Sequence, residues 1–148
     1  MNDDFDRFAK ELQDEIDKDV QKHYSPNVLD LIKHQPNYGT MDDASARGTY
    51  KDEAGDSMTF FLKINSKNVI EKATYTTTAC KHALACGSQV TFLVRNKTVD
   101  EAKQIDADTI MKALGRFPPE LQRYVDLAER TLKESLKNFT TREKKARM

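Results

Sequence analysis

Ala73-Thr74-Tyr75-Thr76-Thr77-Thr78-Ala79-Cys80-Lys81-His82-Ala83-Leu84-Ala85-Cys86-Gly87-Ser88 is the stretch whose reading decides the fold. Its first half is β-branched and aromatic and reads as a strand. From Lys81 onward the composition changes and reads as the start of a helix. Cys80 stands at the junction, where unpaired backbone N–H groups and the helix dipole favour a thiolate. A thiolate binds soft metals and attacks sulfur, so the junction is the one plausible chemical centre.

Upstream, Met58, Phe60, Leu62 and Ile64 alternate with Thr59, Phe61 and Lys63, which predicts a strand with one strongly apolar face. Asn65-Ser66-Lys67-Asn68 is a turn, and residues 69–78 form the returning strand of an antiparallel hairpin. Residues 47–51 are a third, short strand. Helical stripes follow: about 80–95, a start at Thr98-Val99-Asp100-Glu101 with a Thr N-cap, about 106–114, and a long helix opened by Pro118-Pro119. Before the sheet, Ser25-Pro26 starts a helix that ends at Gln35-Pro36-Asn37-Tyr38-Gly39. Strands first and helices after predict an α+β fold, a three-stranded antiparallel sheet with helices packed around it.

The N-terminal residues 1–22 form an amphipathic helix, with Phe5, Phe8, Leu12 and Ile16 at helical spacing. Packing of that stripe on the body is expected, with a partner as the other reading. The acidic start and a basic tail at 141–148 flank a central domain over 23–140. Such ends are solvated faces or, in the functional reading, a docking tail for an acidic partner.

The chain has 148 residues, enough for one domain with a real core. With 24 basic and 24 acidic residues, charge gives no case for nucleic acid as a general partner. No apolar run approaches the roughly 20 residues that span a bilayer, and the acidic start is neither a secretory signal nor a transit peptide. Two cysteines six residues apart do not make a disulfide framework. The expectation is a soluble cytoplasmic protein.

Around Cys80 the candidate partners thin out quickly. Asp56 follows Gly55 just before the first hairpin strand, so the hairpin brings it to the end where Cys80 lies. It is either a turn residue or an oxygen donor beside the thiolate. Cys86 is about 240° further round a regular helix and belongs in the core beside Leu84 and Val90. His82 is about 200° round, and reaches the site only if the first turn is irregular. His23 and His34 read as surface residues. No P-loop, Rossmann glycine pattern, His-Glu-x-x-His or Cys-x-x-Cys is present.

These residues resemble the iron–sulfur cluster assembly scaffolds, the IscU/NifU N-terminal-domain type. Tyr24-Ser25-Pro26-Asn27-Val28 is similar to that family's opening helix, and Pro36-Asn37-Tyr38-Gly39 to its Pro-x-Asn-x-Gly turn. Gly55-Asp56-Ser57-Met58, Ile70 to Tyr75, Thr78-Ala79-Cys80, Thr98 to Ala102 and the Pro118-Pro119 helix start fall in the same order. The resemblance covers roughly Tyr24 to Phe139 and implies a SufE/NifU-like sheet with helices around it. It implies iron or a labile iron–sulfur cluster as cargo, with zinc as a substitute. It also implies partners among cluster-assembly proteins, a cysteine desulfurase first, with a homodimer left open and no enzymatic turnover.

The sequence departs from the family at the site. The family's usual set is three cysteines and an aspartate. Ala54 stands at the first cysteine position, Tyr124 at the third, and Arg123 at the preceding histidine. Glu120-Leu121-Gln122-Arg123 also lacks the Val-Lys-Ile-His character linked to chaperone recognition there. Cys80 and Asp56 remain, with His82, Cys86, Arg123 and Tyr124 as auxiliaries. Two readings follow: a scaffold-like protein that binds iron, cluster or sulfur weakly through Cys80 and Asp56, or an interaction module that docks to assembly partners without building a cluster. A third, enzymatic reading makes Cys80 a redox or transfer nucleophile with Arg123 lowering its pKa.

Overall fold

A computed structural model describes residues 3–147, the last of these by its backbone alone. Three strands, β1 (Ala46–Lys51), β2 (Ser57–Ile64) and β3 (Ile70–Thr77), form an antiparallel sheet in the order β1-β2-β3. The register sets Phe60 opposite both Gly48 and Tyr75, and Met58 opposite Tyr50 and Thr77. The alternation at β2 has its expected cause. Met58, Phe60 and Leu62 are fully buried under the helices, and Lys63 is on the other face, paired with Asp43 at 2.7 Å. Phe61 shares that outer face beneath the guanidinium of Arg47, 5.5 Å from its ring.

Six α-helices complete the chain: α1 (Asp3–His23), α2 (Pro26–His34), α3 (Lys81–Val94), α4 (Val99–Ala102), α5 (Ala107–Leu114) and α6 (Gln122–Arg147). Their starts follow local chemistry. The Ser25 hydroxyl accepts from the Val28 N–H at 3.1 Å, with Pro26 in the first turn. Thr98 and Glu101 close a reciprocal capping box at 3.1 and 2.9 Å. Asp106 caps α5 through the Thr109 N–H at 2.9 Å. A 3₁₀ turn, Pro119–Leu121, leads into α6. Residues 141–147, set apart by charge as a basic tail, continue α6 as helix.

Helices α3 and α6 cover the apolar face of the sheet and touch one another. Each seats on a glycine. At Gly48 in β1 an added Cβ would lie 2.5 Å from the Ser135 backbone N of α6. At Gly87 in α3 it would collide with the ring of Tyr75 from β3. Tyr75 is fully buried, donates to the Leu84 carbonyl at 2.8 Å, and has its phenol pushed up to about 12 by burial. The Pro36-Asn37-Tyr38-Gly39 turn bridges to the same residue, with Gly39 N–H donating to the Tyr75 carbonyl at 2.8 Å.

Helix α1 departs from the packing expected of it. It buries none of its residues, and Phe5, Phe8, Leu12 and Ile16 are 71, 62, 47 and 49% exposed. Periodicity reports an apolar stripe without specifying what covers it. Among the described residues, no helix is long and apolar enough to cross a membrane.

Replacing Gly48 by alanine is expected to destabilise the protein by about 2–3 kcal/mol, because the obstructing atoms are helix backbone and cannot swing aside. Chemical denaturation of Gly48→Ala against wild type measures this. An unchanged midpoint would show that α6 does not rest on β1 at this point.

Candidate functional site

Cys80 is the N-cap of α3, with extended backbone angles of φ −76° and ψ −177°. Because the N-cap lies outside the helix, the helical angle between positions 80 and 82 does not apply. His82 therefore turns back, and its Nδ1 lies 3.4 Å from Cys80 Sγ. The imidazole is held on three sides. Tyr24 OH is 2.9 Å from Nε2 and its ring stacks at 5.8 Å; Tyr124 stacks at 6.0 Å, and Phe117 meets the edge at 6.2 Å. Burial, with Lys81 adding repulsion, pushes the His82 pKa down, so the ring is neutral at neutral pH. A thiolate only accepts hydrogen bonds. With Cys80 ionised, the ring proton therefore sits on Nδ1, and the Tyr24 hydroxyl donates to Nε2.

Burial pushes the Cys80 thiol up, but the Tyr124 hydroxyl and the N–H groups of His82 and Ala83 outweigh it, and the net pKa is below the ordinary thiol range. The reciprocal effect, the bond to Cys80, holds the Tyr124 phenol above its ordinary value. Arg123 packs on Tyr124. Its Nη2 donates to Tyr124 OH at 3.0 Å, and the guanidinium carbon lies 4.4 Å from that ring's centre. Tyr124, and not Arg123 as expected, is the side chain that holds the Cys80 pKa down.

The same guanidinium reaches across to the loop before β2. Nη2 is 2.6 Å from Asp56 Oδ2 and Nη1 is 3.2 Å from Asp52 Oδ2. The guanidinium thus joins Tyr124 to Asp56 and Asp52 and seats a resident cation on the Asp56 carboxylate. Ala54 contributes no donor. It lines a cavity of about 330 Å³ with Tyr50, Asp52, Arg123, Asp126 and Arg130. Cys86 is fully buried in the core and burial pushes its thiol up, so it does not join the site. His23 and His34 are on the surface beside Asp19 and Asp30, at 4.0 and 3.5 Å.

Among the described residues, no group of three or more His, Cys, Asp or Glu side chains could hold a metal ion. Cys80 and His82 form a two-donor pair, and Asp56 is engaged by Arg123. The arrangement suits a reactive thiol, and by itself it does not suit a full four-ligand cluster. Sequence reasoning missed Tyr24 and Asp52. Tyr24 is 58 residues from His82 in sequence, and its only local signal is an aromatic residue directly before the Ser25-Pro26 cap.

The chain belongs to the family described as the NifU-like N terminal domain, which matches residues 23–146. It is 32% identical over 117 residues to the iron-sulfur cluster assembly scaffold protein IscU 1 of Archaeoglobus fulgidus, covering 78% of this chain and 76% of that protein. It is 32% identical over 132 residues to the mitochondrial iron sulfur cluster assembly protein 2 of Saccharomyces cerevisiae, covering 86 and 84%. In fold it resembles the crystal structure of the N-terminal part of a NifU-like protein from Brucella abortus, with a TM-score of 0.64 at 17% identity, over 85% of this chain and 98% of that one.

Cys80 is expected to alkylate much faster than Cys86, with a rate midpoint below that of an ordinary thiol. Tyr124→Phe should move this midpoint to higher pH. Because the folded thiol pKa lies below the unfolded one, the thiolate adds stability above the unfolded pKa, and this is lost as pH falls through the folded pKa. Mass-spectrometric labelling against pH checks both points, and equal rates for the two cysteines would remove the activated thiol.

Arg123→Gln is expected to free Asp56 and strengthen binding of a soft divalent ion such as cadmium by about tenfold or more, as removal of a like charge beside the ligands requires. Thiolate-to-metal absorbance reads this directly. Unchanged affinity would show that the guanidinium does not compete with a cation.

Proposed function

We propose that this protein is a scaffold-type component of iron–sulfur cluster assembly in which Cys80 carries sulfur or iron transiently. The observation that supports the reading most is a single activated thiol at the N-terminus of α3, in a chain of the NifU-like N terminal domain family. Relatives named as cluster assembly scaffolds support it further.

A neutral His82 beside the sulfur and the Tyr124 hydroxyl favour the thiolate form of Cys80. Such a thiolate can attack the outer sulfur of a donor persulfide. A new S–S bond forms on Cys80, the donor's S–S bond breaks, and the donor leaves as a thiolate. Equally, it can bind iron, with His82 beside it and Asp56 as an exchangeable oxygen donor once Arg123 moves away. The absence of a full donor set makes cargo held by one chain labile, which fits delivery better than storage. In this reading the protein is a carrier without turnover of its own. It receives its cargo from other assembly proteins, a cysteine desulfurase being the natural sulfur source. Zinc would occupy the same thiolate as a substitute.

Anaerobic reconstitution with iron and sulfide tests the reading. The wild-type protein is expected to take up substoichiometric, readily lost iron that Cys80→Ser abolishes. Adding ligands with Ala54→Cys and Tyr124→Cys together should give a stable visible chromophore. A full, long-lived cluster on the unmodified monomer would overturn the labile site. No Cys80-dependent uptake of iron or of persulfide sulfur would overturn the carrier role itself.

A further inference from the structure

Helix α1 carries a continuous stripe of Phe5, Phe8, Leu12 and Ile16 and buries no residue. Its 21 residues extend about 31 Å at 1.5 Å per residue. Most helical stability in proteins comes from packing of an amphipathic face, so the exposed stripe of α1 calls for a surface to cover it. Charge restricts which surface this can be. Between Asp3 and His23 there are eight carboxylates against four lysine and arginine side chains. Two α1 helices laid together would therefore bring like charge to like. The counter-surface must be basic, with aliphatic material between its charges.

This chain carries such a surface at its opposite terminus. Lys133, Leu136, Lys137, Thr140 and Lys144 of α6, with Lys103 at the end of α4, line a groove of about 460 Å³. Its floor is Leu136, and its walls are threonine methyls and lysine stems, which cover apolar side chains while their ammonium groups meet carboxylates. Lys133 and Lys103 have neighbouring carboxylates on their own elements, Glu129 at 3.5 Å and Asp100 at 4.0 Å. Lys137 and Lys144 have none among the described residues. The chain's own α1 does not occupy the groove. Overall charge is balanced at 24 to 24, so the acidic helix and the basic groove are two halves of one segregated distribution.

We propose that the occupant of this groove is α1 of a second copy of the chain. Exchange of the two α1 helices closes a two-fold dimer with two identical contacts and no free acidic helix.

Sedimentation velocity on the full-length protein tests this by variants of each half. Wild type is expected to be dimeric at low salt and to dissociate as salt screens the charges. Phe8→Glu with Leu12→Glu should weaken association by an order of magnitude or more, as should Lys137→Glu with Lys144→Glu. The decisive arm mixes that groove variant with a second chain carrying Glu11→Lys and Asp14→Lys. Each alone sets like charges together at the substituted positions and should associate at least about tenfold more weakly than wild type. Mixed, they should form a heterodimer, because every contact again pairs opposite charges. Circular dichroism confirms that each variant keeps its fold. A monomeric wild type at high micromolar concentration overturns the proposal. So does a dimer indifferent to the groove variant, which would point to α1 pairing with itself, or a mixture that fails to associate.

Discussion

The close approach of α6 to β1 at Gly48 is the constraint on which the rest of the molecule depends. Ser135 stands over that glycine, and its single hydroxyl proton is shared among the carbonyls of Thr131 at 3.1 Å and of Gly48 and Phe60 at 3.3 Å. With its middle fixed this closely, α6 has no freedom to slide. Its first turn must then place Arg123 and Tyr124 over the end of the hairpin, and its distal half must run past Lys103. The reactive thiol and the basic groove, at opposite ends of one helix, are both consequences of a missing side chain in β1.

At the hairpin end the charges are satisfied from within. Arg123 spans Asp52, Asp56 and Tyr124, and Tyr124 helps hold the Cys80 thiol pKa down. A positive group is already seated beside the carboxylate that would otherwise attract a cation. The Asp56 carboxylate is thus already neutralised by a guanidinium, beside positions 54 and 124, which carry Ala54 and Tyr124.

Much of this architecture was legible in the sequence where the signal is local. Met58 to Ile64 alternates because β2 has one face under helices and one in water. Ser25, Thr98 and Asp106 announce helix starts because a side-chain oxygen must satisfy an N–H two or three residues on. Reading failed where a long-range contact decides. The angle between positions 80 and 82 on an ideal helix separates Cys80 from His82, but an N-cap is free of that periodicity. The partners of Arg123 lie 67 and 71 residues away, in a loop whose path no periodicity describes. The stripe on α1 showed that an apolar surface exists, and amphipathic spacing says nothing of what meets it.

Cys80 also stands where a helix is ordinarily capped by an oxygen. Its sulfur faces the first N–H groups of α3 without closing a capping bond, and the helix has no acidic residue in its first turn to compensate. Serine there would cap α3 and add about 1 kcal/mol of stability. The chain thus holds a weaker helix start in exchange for a nucleophile. Stability alone would favour serine or aspartate at this position, so a thiol here carries a cost in folding free energy.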